Sequence, residues 1–149
     1  MAITPGLLLD THTWVWLETK QLKMNDDLRA VLERAASESA IFVCSISMLE
    51  IANGVGKKRI HLNDDLEKWF DITLRGRSVR VLDITPAVAL QTMKLPHGFH
   101  GDPGDRLITA TAIVENLTLL TNDTALLRFS RQGLMKTIEV EKIRSSNVR

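Results

Sequence analysis

Cysteine is nearly absent: Cys44 is the single one in 149 residues, so no internal disulfide can staple the chain and a buried core has to hold it. In the apolar run AIFVCS that cysteine reads as a buried, reduced thiol packing as a small hydrophobe rather than as a nucleophile. Long hydrophobic runs are missing too. No stretch approaches the roughly 18 consecutive apolar residues of a membrane span, and MAITPGLLLD lacks the basic start and long apolar centre of a signal peptide. Cytoplasmic residence without membrane contact is the expectation. An excess of one charge is also lacking. Nineteen basic and eighteen acidic residues leave a net charge of +1, which excludes a polycation that coats nucleic acid indiscriminately. Any RNA or DNA contact has to come from local patches, namely Lys57, Lys58 and Arg59, then Arg75, Arg77 and Arg80, then the Arg-rich end from Arg128 onward. A solvated surface explains each of these equally well. Repeats, low-complexity tracts and Pro/Gly/Ser-rich linkers are absent, so a single domain over 1–149 is expected, with a polar tail at about 141–149 able to fray.

What is present is an ordinary soluble composition, 44% hydrophobic and 25% charged, and an alternation of short apolar runs with helical patterns. LLLD, IFVC, VRVL, TLLT and TIEV read as five strands. Between them THTWVWLE, NDDLRAVLERAAS, SISMLEIANGVGKK, LNDDLEKWFDITLRG, TPAVALQTMKL, DRLITATAIVEN and TALLRF read as helices or helical turns. Leu28, Val31, Leu32 and Ala35 fall at i, i+3, i+4 and i+7, an amphipathic spacing. The LNDDLEKW helix is predicted to begin at Asn63 or Asp64, and Thr85 and Pro86 suit the N-cap and first position of the next. Apolar strands alternating with helices predict an α/β domain with a mostly parallel central sheet of about five strands.

In such a sheet, ligands bind beyond the carboxyl ends of the strands, where each following helix begins. Asp10 closes the first strand, Glu50 lies in the opening turns of the helix after IFVC, Asp102 and Asp105 start the DRLITATA helix, and Asp123 follows TLLT. Taken singly, each has a local explanation. Asp102, Pro103 and Asp105 fit the N-cap, first and third positions of a helix, Ser47 to Glu50 matches the capping box S-x-x-E, Asp123 suits a cap, and Asp10 suits a turn. Taken together, they predict a cluster. Carboxylates within about 4 Å repel by roughly 4 kcal/mol per pair at an effective dielectric near 20, so the cluster calls for a cation. Oxygen-only ligation suits Mg²⁺ or Mn²⁺, which can clamp a phosphodiester and activate water. Asp83, after VRVL, is set aside as a lead-in to the Thr85 cap.

The stretches LLLDTHTWVWL, VCSISMLEIANGVGKKRI and DPGDRLITATAIVENLTLLTND, with LPHGF upstream of the last, resemble the PIN-domain family of metal-dependent ribonucleases. Within it they are most similar to VapC toxins of bacterial type II toxin-antitoxin pairs, over nearly the whole chain. The resemblance implies a PIN-like three-layer α/β/α fold. It makes Asp10, Glu50, Asp105 and Asp123 the catalytic and metal-binding acids, led by Asp10 and Asp105, with Asp123 acting on the metal directly or through water. Thr11, Ser47, Thr121 and Asn122 become candidates for holding those carboxylates or a metal-bound water. The implied cofactor is Mg²⁺, with Mn²⁺ as a substitute. The implied reaction is hydrolysis of RNA by metal-activated water, leaving a 5′-phosphate and a 3′-hydroxyl. The implied partners are an RNA substrate, a VapB-like or Phd-like antitoxin, a second copy in a homodimer that assembles further with antitoxin, and DNA only through the antitoxin. Gly104 departs from the family, where a bulky residue is frequent between the two aspartates. That change is expected to loosen the loop without touching the ligands, while Ala110 and Ala112 allow close packing.

No histidine general base is required, so His12, His61, His97 and His100 read as surface or loop residues; His12, beside Asp10, is the one worth mutating. Trp14 and Trp16, two apart, cannot share a helix face, so one is expected to pack inward and the other to be more exposed, for packing, antitoxin contact or base stacking. Met48, Met93 and the other methionines read as core filling. Two rival classes stand beside the enzyme: a non-catalytic PIN-fold binding module or antitoxin partner, and a phosphoacceptor or phosphatase domain using Asp10. The second suffers from histidine at position 12, where haloacid-type phosphatases want an aspartate.

Overall fold

A computed structural model describes residues 6–76, 79–99 and 101–144. Leu7 to Leu9 form β1, every residue buried, and the chain then enters α1 (Thr11–Glu18) and α2 (Asp26–Ser37) before β2 (Ile41–Cys44). α3 (Ile46–Gly56) and α4 (Leu66–Arg75) lead to β3 (Arg80–Leu82), and α5 (Pro86–Met93) and α6 (Pro103–Val114) to β4 (Thr118–Thr121). α7 (Thr124–Ser130) and β5 (Lys136–Glu139) follow. The sheet has five strands in the order β3-β2-β1-β4-β5, every pairing parallel.

Strand periodicity divides the core into two layers. Leu7 and Leu9 join Ile41, Val43 and Leu120 beneath α1, α2 and α4, represented by Trp14, Leu32 and Trp69. Leu8 points the other way and joins Cys44, Leu119, Ile108 of α6 and Phe129 of α7. A central strand covered on both faces has no polar side, which is why LLL and TLLT are continuous apolar runs. Cys44 is fully buried, its sulfur 3.7 Å from the Thr111 hydroxyl. Ala110 and Ala112 are buried as well. From β1 the chain moves outward to β2 and β3, then returns to β1's other side as β4. That makes the carboxyl end of β1 the switch point of the sheet.

Several local expectations need correction. α4 begins at Leu66, capped by Asp65, whose Oδ1 accepts the Lys68 N–H at 2.9 Å; Asp64 is spent on an ion pair with the Lys68 ammonium at 3.2 Å. The proposed capping box does not form, because α3 already starts at Ile46 and Ser47 is buried inside it, bonded to Thr11. Met93 is not core filling: it is 80% exposed on α5, which lies against α6 on one side and buries only Val88. Met24 and Met48 pack against the first core and Met135 lies in the second. Arg80 is more than a solvated charge, since its guanidinium lies 5.7 Å from the Phe42 ring centroid. Arg77, His100 and Met1 fall outside the described residues. Of the tail, Lys142 bridges to Leu22 and the Ile143 N–H donates to the Gln21 carbonyl at 2.8 Å, while 145–149 lie outside the described residues. Among the described residues no helix is long and apolar enough to cross a membrane.

Leu120 is fully buried between β1 and β5, and its carbonyl accepts both the Asp10 N–H and the Thr13 hydroxyl. Leu120→Ala is expected to destabilise the protein by about 2–5 kcal/mol, read as a lower urea midpoint at unchanged slope.

Candidate active site

The parallel register brings Leu9, Val43 and Leu120 level, so the residues just beyond them share one edge. Asp10 follows Leu9 there and is the N-cap of α1. Its Oδ1 accepts the Thr13 N–H at 2.9 Å, and its Oδ2 accepts a short bond from the Thr121 hydroxyl at the end of β4. One buried carboxylate thus joins β1 to β4 through neutral donors. The Asp123 N–H in turn donates to Thr121 Oγ1 at 3.0 Å. Asp123 caps α7, accepting the N–H groups of Ala125 and Leu126 at 2.8 and 3.0 Å on Oδ1.

Glu50 reaches the same edge from the first turns of α3. The Thr11 hydroxyl lies 2.6 Å from Glu50 Oε1 and 2.9 Å from Ser47 Oγ, linking α1 to α3. Opposite it stands the first turn of α6, where Asp102 is the N-cap and its Oδ1 accepts the Asp105 N–H at 3.1 Å. The two helices meet at Gly104. A Cβ placed there would stand 2.5 Å from Glu50 Oε2 and 2.7 Å from its carboxyl carbon. Gly104 is therefore no loosening of a loop remote from the acids. It is a buried helical residue whose missing side chain makes room for Glu50.

Asp10, Glu50, Asp105 and Asp123 line one open cleft of about 670 Å³, together with Thr11, Asp102 and Asn122. A smaller cleft between α2 and β5, about 310 Å³, contains none of these acids and lies away from the chemistry. Thr121 and Ser47 are buried behind the acidic cleft, bonded to Asp10 and Thr11 as given above. Asn122 turns its amide to the Val140 carbonyl at 2.7 Å, tying the cleft wall to the end of β5. His12 is exposed and lines the cleft, whereas His61 and His97 are exposed and do not line it. Trp14 is fully buried, whereas Trp16, half-buried, lines the cleft with Asn53, Lys57 and Arg59 from the end of α3 and beyond. Asn53 had no distinguishing sequence signal. Thr13 did, at the third position after the Asp10 cap.

Electrostatics single out Asp105. Burial, then the neighbouring Asp102, Asp123, Glu50 and Asp10 carboxylates in that order, push its pKa up from 3.8 to about 7. Among the described residues no three acids, histidines or cysteines are already gathered tightly enough to hold one ion. The oxygen-only donor set nonetheless suits a hard divalent cation, and the raised Asp105 shows negative charge crowded at this point.

A parallel α/β/α sheet with carboxylates converging at its switch point defines a class of acidic-cleft hydrolase-like domains. The chain belongs to the PIN-domain family: the PIN domain model matches residues 7–132. It is 34% identical over 120 residues to Ribonuclease VapC22 of Mycobacterium tuberculosis, covering 80% of this chain and 88% of that one. The fold is also that of a chain in VapBC2 from Rickettsia felis bound to a DNA fragment from their promoter, with TM-score 0.68, 24% identity and coverage of 91% and 98%. A chain in DNA-bound VapBC from Salmonella typhimurium aligns at TM-score 0.64 and 20% identity, with the same coverages.

Because the folded pKa of Asp105 exceeds its unfolded value, its contribution to stability is present below about pH 4 and lost as pH rises through about 7. In metal-free buffer Asp105→Asn is expected to raise Tm at pH 8 by a few degrees and to lose that advantage near pH 4, measured by thermal melts across pH.

Proposed function

We propose that this protein is a Mg²⁺-dependent endoribonuclease, the toxin of a VapBC-type toxin-antitoxin pair. The observation that carries the reading is the convergence of Asp10, Glu50, Asp105 and Asp123 on one cleft, where burial and then the neighbouring carboxylates raise the pKa of Asp105 to about 7. The relative named a ribonuclease supports the same reaction class. The phosphodiester is the substrate bond, and a divalent cation, Mg²⁺ or Mn²⁺, supplies Lewis acidity to its oxygens and acidity to the attacking water.

The chain's own residues prepare this chemistry. Asp10 is fixed at both oxygens by Thr13 and Thr121, so its carboxylate is oriented, and among the described residues no ion pair offsets it. Thr11 steadies Glu50. Asp123 uses Oδ1 for its helix cap, and Oδ2 takes no hydrogen bond from the described residues. Asp105, whose pKa burial and then the neighbouring carboxylates raise to about 7, would give up its proton to serve as a ligand. The reading carries with it an antitoxin of VapB or Phd type, a homodimer that assembles further with that antitoxin, DNA contact through the antitoxin, and cytoplasmic residence.

Purified protein incubated with structured RNA and Mg²⁺ is expected to make discrete cuts that chelation abolishes. Asp10→Asn and Asp105→Asn should each lower the cleavage rate by about a hundredfold or more. Full activity in either variant refutes the site assignment, and absence of Mn²⁺ binding in a calorimetric titration favours a non-catalytic binding module. Gly104→Ala tests the support of Glu50. The carboxylate end is flexible enough to move aside, so Tm should stay near wild type, while cleavage falls by about ten- to a hundredfold because Glu50 leaves its place.

A further inference from the structure

The cleft has a second wall that the acids do not explain. His12 and Trp16, one turn apart on α1, stack with ring centroids 5.9 Å apart and an interplanar angle of 29°. Both line the cleft that Asp10 enters. Trp16 is half-buried against the first core and His12 is exposed, so the pair forms a short aromatic column with its solvent end at His12. Core packing does not require a ring there, because Trp14 already fills the interior against Trp69 and Phe70. Lys57 and Arg59 line the same cleft, are exposed, and enter no ion pair with the acids among the described residues. Cations unspent beside a row of carboxylates are available to a polyanion.

Flat ring faces, exposed cations and a row of acids within one open cleft match the three parts of a nucleotide chain. We propose that the His12–Trp16 column is a stacking platform for an unpaired base next to the scissile phosphate, with Lys57 and Arg59 taking a neighbouring backbone phosphate. The proposal rests on the ribonuclease reading and assigns this second wall to the nucleotides beside the cut. A base inside a duplex has both faces covered and its groove edges out of reach, so it cannot continue the column; an unstacked base in a loop or bulge can. A protein side chain entering the cleft would find the acids attractive only as a cation, and Lys57 and Arg59 would then oppose it. An RNA strand uses all three features.

The test uses the full chain carrying Asp10→Asn, to silence cleavage, and a fluorescein-labelled single-stranded RNA octamer in Mg²⁺, read by anisotropy. Trp16→Leu in that background is expected to weaken binding about tenfold, with Trp16→Phe recovering most of the loss. Lys57→Ala with Arg59→Ala should flatten the dependence of affinity on salt by about 0.7 of a unit of slope, the value of one phosphate contact on a single strand. A blunt-ended RNA duplex of the same sequence should bind more weakly than the octamer. In the cleaving enzyme, Trp16→Leu should raise KM more than it lowers kcat. Should Trp16→Leu unfold, the exposed His12→Ala variant carries the test, with a loss of threefold or more expected. Octamer affinity unchanged in a folded Trp16→Leu or in His12→Ala, or preference for the blunt-ended duplex, overturns the platform and leaves the rings to a protein partner. Cleavage by the wild type with KM unaffected in Trp16→Leu sinks the platform alone, whereas a wild type that cuts no RNA sinks the ribonuclease reading beneath it.

Discussion

Mutual repulsion among carboxylates at one sheet edge is the constraint around which this structure is arranged. Charges of one sign gather there only if the fold holds them in place, and basic side chains would hold them at the expense of the charge itself. The protein uses neutral donors instead. Thr13 N–H and Thr121 hydroxyl hold Asp10, Thr11 holds Glu50, and two backbone N–H groups hold Asp123. These bonds orient each carboxylate through uncharged partners. Where burial and crowding win, at Asp105, the carboxyl's pKa is pushed up to about 7.

Helix geometry supplies part of the offset. The carboxyl edge of a parallel sheet is also where the following helices start, so Asp10, Asp102 and Asp123 are at once N-caps of α1, α6 and α7 and walls of the acidic cleft. Exposed N–H groups at helix starts favour negative charge. Capping and site formation are therefore one physical arrangement rather than rival accounts of the same residue. The threonines show the same economy: Thr121 belongs to β4, holds Asp10, and positions the Asp123 backbone.

The cleft's two walls follow from different parts of the chain. The acidic wall comes from strand ends and the first turns of α3 and α6, which approach closely because residue 104 has no side chain. The aromatic and basic wall comes from one face of α1 and the end of α3. Thr11 sits between them, bonded to Ser47 and Glu50, so the helix carrying His12 and Trp16 is tied to the helix carrying Glu50.

Much of this was legible in residue order. Apolar runs marked the three inner strands, β1, β2 and β4, because strands covered on both faces have no polar side to display, and the acids following LLL and TLLT had to share an edge once the sheet was parallel. Local pattern also placed the Thr85, Asp102 and Asp123 caps. It failed where a side chain's partner comes from elsewhere in the chain. Ser47 fits a capping box on spacing, but Thr11 claims its hydroxyl inside α3. Met93 is apolar, but α5 has no layer above it. Gly104 looked like slack, and only the nearness of Glu50 makes its missing Cβ matter. The sequence by itself determined the element types and which acids share an edge, since those depend on periodicity and strand direction. Which of them crowd Asp105, and which rings and cations face them, was decided by tertiary packing, because those distances depend on how α1, α3 and α6 meet.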